Sequence, residues 1–222
     1  MQETLNSFLY KSVILANMTN NVLFNLVAPI YDHVINFNSA EKLAELLRLD
    51  GSQTLLDLGG GTGRITAALA PHAARTYIAD LSMQMLRQAQ SKAIAHLINT
   101  SSNHLPFADG MFDAIVVVDA LHHFSHQQQV ITELFRILKP GGRLVIEEPN
   151  IHQFSVKLIA LAEKLALMGS HFHTPEQIHA MITPFDNMSA DIVYSDNHAV
   201  WVVAEKSSPD GRQIAAQRGI TA

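Results

Sequence analysis

The residues best placed by type and spacing to do chemistry lie in TLLDLGGGTGR, residues 54–64, where an apolar run holding Asp57 gives way to Gly59, Gly60, Gly61 and Gly63. Glycines at the end of a strand let backbone N–H groups come close to a ligand, and a helix starting just beyond favours a negative group there. A plain strand-to-helix turn needs one or two glycines, so this loop reads as a binding site for part of a nucleotide-like ligand. A dinucleotide fingerprint G-x-G-x-x-G/A starting at Gly59 would require a small residue at 64, where Arg64 stands; starting at Gly61 it would require one at 66, where Thr66 stands. That spacing argues against hydride transfer. A second acid, Asp80, closes the next apolar run, TYIAD, and a carboxylate at a strand tip can accept hydrogen bonds from both hydroxyls of a ribose. Asp80 can also cap the helix that follows, but Ser82 is the better cap candidate, which leaves Asp80 freer for ligand.

His122 and His123, in DALHHF, follow another apolar run, where an imidazole can act as a general base or orient an oxygen nucleophile. The alternative is that one of them only packs or bonds to backbone. Together with His126, Glu147, Glu148, His171 and His173 they also make a conceivable ligand set for zinc, iron or nickel. Neither an H-H pair nor H-x-H is a closed set, and 12 histidines in 222 residues cluster by chance, so the expectation is no metal.

The elements that must carry these residues alternate. LLDL is followed by ITAALA, TYIAD by MQMLRQAQ, AIVVV by a helical pattern from Val130 to Leu138, and RLVIEE by VKLIALAEKLALM. Parallel strands need a crossover, usually a helix, so this rhythm predicts βα units and a mostly parallel sheet. ADIVYSD and AVWVVAEK are separated only by Asn197 and His198, a link that suits an antiparallel hairpin. AEKLAELLRL has the i, i+3, i+4 spacing of a core-facing helix, and SSPDGRQIAAQRGITA reads as a tail.

Composition narrows the function. With 15 Lys+Arg against 20 Asp+Glu the net charge is −5, so no broad positive field is available to nucleic acid. The absence of cysteine removes thiolate chemistry and fits a reducing cytoplasm. The first residues lack the basic front of a signal peptide, and no stretch approaches the ~20 apolar residues of a membrane span.

D-x-G-x-G-x-G, spelled by Asp57, Gly59, Gly61 and Gly63, resembles the class I S-adenosylmethionine-dependent methyltransferases. NHLPFADGMFDAIVVVDALHHF and ELFRILKPGGRLVIEEPN extend the resemblance over residues 54 to 148, and with APIYD near residues 28 to 32 they are similar to the ubiquinone and menaquinone C-methyltransferase branch. The resemblance implies a Rossmann-like seven-stranded α/β sandwich, mostly parallel, with a C-terminal antiparallel hairpin. It implies a helical lid over residues 1–50, a cofactor domain over 51–206 with substrate-covering helices at about 151–184, and a flexible tail over 207–222. The implied cofactor is S-adenosylmethionine, held by Tyr31, Asp57, Gly59, Gly60, Gly61, Gly63, Asp80, Leu81, Ser101, Ser102 and Asp119, with His122 and His123 as catalytic candidates. The implied acceptor is a small molecule methylated at carbon or oxygen, apolar or aromatic if the helix after the fifth strand covers it; a homodimer is compatible with all of this. One departure stands out: where the family often has an acid for the adenine amino group, this chain has Ser101 and Ser102, which keeps a non-catalytic cofactor-binding protein open as the alternative.

Overall fold

The computed structural model describes residues 40–149, 171–194 and 199–208. Tyr31, most of the expected lid, residues 150–170, the link at Asn197 and His198, and the tail from residue 209 lie outside the described residues.

Seven strands form one sheet in the order β3-β2-β1-β4-β5-β7-β6. They are β1 (Thr54–Leu58), β2 (Arg75–Asp80), β3 (His96–Asn99), β4 (Phe112–Val118), β5 (Leu138–Pro149), β6 (Met188–Tyr194) and β7 (Ala199–Lys206). β1 pairs in parallel with β2 and β4, β2 with β3, and β4 with β5, while β7 runs antiparallel between β5 and β6. This is the expected α/β sandwich with its antiparallel end. The helices are α1 (Ala40–Leu46), α2 (Arg64–Leu69), α3 (Met83–Gln90), α4 (Gln127–Ile137) and α5 (Pro175–Ile182). Ser82 caps α3, its hydroxyl accepting from Met85 N at 3.2 Å, and Thr174 with Gln177 forms a capping box on α5.

The central strands are apolar on both sides because both faces are covered. Along β4, Ile115 and Val117 join one core with Val130, Ile131 and Leu134 of α4 and Ile178 and Ile182 of α5. Ala114, Val116 and Val118 alternate to the other face, against Leu43 and Ala44 of α1 and Ile65 and Leu69 of α2. The register of β5 on β4 jumps from Leu138 to Arg143 between Phe112 and Ala114, so Lys139, Pro140, Gly141 and Gly142 bulge out as the chain leaves α4 and enters the sheet. β3 was not marked by any apolar run in the sequence: it is a four-residue edge strand with no buried residue.

Because β1, β2 and β4 are parallel, Leu58, Asp80 and Val118 end on one edge of the sheet. The chain order reverses between β1 and β4, and crevices at such switch points are where open α/β sheets bind ligands.

Candidate functional site

A cleft of about 320 Å³ opens at that switch point. One side is the loop after β1 and the tip of β2, with Asp57, Gly59, Gly60, Gly61, Asp80 and Leu81; the other is the turn after β4, with Asp119, Ala120, His123 and Phe124. Ser101 and Ser102 close a third wall. Among the described residues, all those expected from the sequence to bind the cofactor line it except Gly63, which packs elsewhere.

The four glycines serve different ends. At Gly63 a Cβ would stand 2.9 Å from Ile78 Cδ1 and 3.3 Å from Ala89 Cβ, so this glycine seats the start of α2 against β2 and α3. At Gly60 it would strike Asp57 Cγ at 2.6 Å, and at Gly59 the Ala120 Cβ at 2.6 Å. At Gly61 a Cβ would meet nothing closer than Met85 Sδ at 3.9 Å; its φ of 54° turns the backbone toward Asp80, whose Oδ2 accepts from Gly61 N at 2.9 Å. The other oxygen, Oδ1, accepts from Ser82 N at 2.7 Å. Each oxygen keeps further lone-pair capacity for a ligand. Burial raises the Asp80 carboxyl above the ordinary carboxylate range, opposed by those two N–H groups.

Asp57 is buried beneath the loop, where Thr66 Oγ1 donates to its Oδ2 at 2.6 Å. Burial pushes its carboxyl up to about 6, the Thr66 hydroxyl works against the rise, and Asp80 adds to it. A cation seated above would favour its ionised form. Asp119 takes a left-handed φ of 49° just past β4 while its N–H donates to Glu147 O at 3.0 Å. A non-glycine residue held there costs about 1 kcal/mol or more, a kind of strain that concentrates at functional sites.

The wall carrying Ser101 and Ser102 is held from both ends. Thr100 N donates to Asp80 O at 3.1 Å, and beyond the serines Leu105 N donates to Glu133 Oε2 at 3.1 Å. Arg136 donates to Phe107 O at 2.8 Å and Leu105 O at 3.0 Å, and pairs with Glu133 at 2.9 Å. The E-L-F-R segment of α4 thus fixes a loop some thirty residues earlier in the chain.

The seven residues of the conceivable metal set separate. His123 and His171 line the cleft. His122 is buried behind its wall, Nδ1 at 2.5 Å from Glu148 Oε2 and its ring stacked on Phe172 at 4.3 Å. Glu147 accepts from Trp201 Nε1 at 2.6 Å, while His126 and His173 border a separate shallow groove beside Met181. Among the described residues no three His, Cys, Asp or Glu side chains converge as metal ligands. Sequence reasoning did not single out Met85, Thr100, Phe124 and Ser125, which also line the cleft. Met85 carried a signal, since it falls in the first turn of the helix after Asp80; Phe124 belongs here because Gly59 leaves it room.

Glu147, whose main-chain carbonyl accepts from Asp119 N, provides a pH test of the packing behind the cleft. Burial pushes its carboxyl up to about 7, the Trp201 indole opposes this, and Asp119 adds to it. A buried acid raised above its unfolded value stabilises the fold fully below that value and loses this contribution as pH rises through its folded pKa. Glu147→Gln, which keeps an oxygen for Trp201, should therefore gain on the wild type by up to ~3 kcal/mol between about pH 5 and about pH 8. Thermal unfolding of both proteins across that range checks it, and a constant difference would refute it.

A glycine loop, two acids near successive strand ends and a cleft at the switch point are the arrangement of an open α/β fold with a ligand crevice at its strand ends. Residues 56–146 match a family described as a methyltransferase domain. The ubiquinone/menaquinone biosynthesis C-methyltransferase UbiE of Klebsiella pneumoniae subsp. pneumoniae is 32% identical over 150 residues, covering 60% of this chain and 59% of that protein. The UbiE of Salmonella paratyphi B is 30% identical over 184 residues, covering 75% of this chain and 70% of that protein. A solved SAM dependent methyltransferase from Aquifex aeolicus superposes with a TM-score of 0.64 at 17% identity, covering 80% of this chain and 98% of that one. The chain belongs to the methyltransferase family that contains the UbiE proteins. It spans rather more than half the length of the Klebsiella relative.

Proposed function

We propose that the protein transfers a methyl group from S-adenosylmethionine to a small molecule, at carbon or oxygen. The observation that carries this reading is the convergence on one cleft of the Gly61 backbone, a buried acid and a half-buried acid at successive strand ends and, across the switch point, an imidazole. The cleft fits the cofactor: Asp80 offers acceptors to the ribose hydroxyls, Asp57 a carboxyl near the amino-acid portion, and Leu81, 59% exposed, an apolar surface for the adenine. Ser101 and Ser102 offer hydroxyls where relatives often have an acid. When bound, S-adenosylmethionine supplies a methyl group on a sulfonium, and the C–S bonding pair stays on sulfur as the new bond forms.

The chain's own part is alignment and exclusion of water, and a base is required only when the acceptor must lose a proton. Burial, and secondarily His122, push His123 down to about 3, so its imidazole is neutral near neutral pH. We assign His123 to orienting the acceptor by hydrogen bonding, and His122 to supporting it from behind the wall, their rings 4.0 Å apart. The UbiE relatives favour a C-methylated acceptor. The acidic balance of −5 favours a small molecule over nucleic acid, and the cysteine-free chain suits the cytoplasm. Among the described residues no helix is long and apolar enough to cross a membrane.

Calorimetric titration with S-adenosylmethionine and S-adenosylhomocysteine tests the reading. Micromolar binding of both is expected, and binding of neither would overturn it. Binding without turnover on any of a broad set of small-molecule acceptors would favour the non-catalytic alternative.

A further inference from the structure

His171 reaches the cleft from far along the chain, and it is held there by main-chain bonds. Its N–H donates to His122 O at 2.7 Å, and Gln127 Nε2 bridges Leu121 O at 2.7 Å and His171 O at 3.0 Å. Phe172 stacks on the His122 ring at an interplanar angle of 15°, locking the segment onto the turn that carries His123. The main chain of His171 is therefore fixed while its side chain lines the cleft and stays solvent-exposed. Among the described residues nothing hydrogen bonds to its imidazole.

Of the three imidazoles at this end, His122 is committed to Glu148 and off the cleft, and His123 is enclosed beside it. From this geometry we infer that His171 is a catalytic residue that hydrogen bonds to the acceptor's ionisable hydroxyl and takes its proton. The inference rests on the proposed methyl transfer. Gly61 and Asp80 stand on the β1 and β2 side of the cleft, whereas His171 stands on the β4 side, bonded to the turn that follows that strand. When the O–H bond breaks, its pair stays on oxygen and is available there or, in an aromatic acceptor, at a conjugated ring carbon. The proton passes from the imidazole to water. In the carbon route, the hydrogen displaced from the ring carbon restores the hydroxyl. His123 stays neutral and orients the same oxygen: an imidazole whose proton affinity burial has lowered that far is a poor base. The titratable and charged groups near His171 are His122 and His123 on the turn it bonds to, Glu148 behind them, Asp57, Arg64, Asp80 and Asp119 along the same cleft, His126 beside Gln127, and its neighbour His173.

The test uses 4-nitrophenol, whose visible band reports its ionised form, added to the full-length protein saturated with S-adenosylhomocysteine at a pH below the probe's own pKa. Wild type should bind it saturably with growth of the phenolate band. His171→Gln should lose the band or weaken binding at least tenfold, with S-adenosylhomocysteine affinity unchanged; His123→Gln, which disturbs an orienting contact, should weaken probe binding while the probe that does bind still shows the band. Added imidazole should restore the band to His171→Ala, which a merely structural role would not produce. An unaltered band in His171→Gln, a band that follows His123 instead, or no probe binding by a wild type that holds S-adenosylhomocysteine would overturn the role of His171 alone. Failure of the wild type to bind S-adenosylhomocysteine would instead overturn the methyltransferase reading.

Discussion

Asp80→Ala should weaken S-adenosylmethionine binding by more than tenfold, about 1.4 kcal/mol or more, with ~100-fold well within reach. The size follows from three roles meeting in one carboxylate. Asp80 accepts from Gly61 N at 2.9 Å and from Ser82 N at 2.7 Å, so it sets the glycine loop and the entry to α3 before any ligand arrives. It also faces the cleft with acceptor capacity left over. Alanine removes the ribose contact and frees the loop, and the ligand must then reorder what the wild type holds in place. Asp80→Asn separates the parts: its oxygen can hold one N–H, but its NH2 opposes the other, so part of the loss should remain. Calorimetric affinities of the three proteins check this, and an unchanged affinity in Asp80→Ala would remove Asp80 from the site.

The second large effect is expected from Glu148→Ala, which should destabilise the fold by about 3–5 kcal/mol, the usual result of taking one partner from a buried pair. Glu148 and His122 are 3% and 4% exposed. The carboxylate accepts from Leu121 N at 2.8 Å through Oε1 and lies 2.5 Å from His122 Nδ1 through Oε2. Its removal strands two polar groups where water does not reach. Leu121 and His122 are also where Gln127 and His171 attach, so loss of Glu148 should loosen the His171 segment. Urea unfolding measures the loss; a change below ~1 kcal/mol would mean that the pair is solvated in solution. His122→Ala leaves the Glu148 carboxylate short of one partner and should fall in the same range, whereas the exposed His171→Gln should be nearly neutral for stability.

Much of this was legible in the sequence because it is local. The apolar runs and helical patterns of residues 54–90 follow one another closely, so the strand, glycine loop, helix and strand that end in Asp80 form a single βαβ unit whose geometry the chain order nearly dictates. Ser82 as cap follows for the same reason. β3 escaped notice because an edge strand whose residues are only half covered needs no apolar run. The bulge at Lys139–Gly142 lies in a stretch legible only as a turn, since its place in the register depends on β4.

What the chain determined by itself, then, was the class of ligand pocket: glycines and two acids at successive strand ends suffice, because parallel strands bring those ends to one edge. The tertiary structure decided which residues share that pocket. Residue types at 122, 123 and 171 are identical, yet packing buries one against Glu148, encloses the second and leaves the third open in the cleft. Likewise Gly61 and Gly63 look alike in the motif, but only the first faces the cleft; the second makes room for Ile78 and Ala89. Spacing along the chain specifies the direction in which a strand or loop delivers a side chain, whereas burial, partners and open space depend on elements arriving from elsewhere in the sequence.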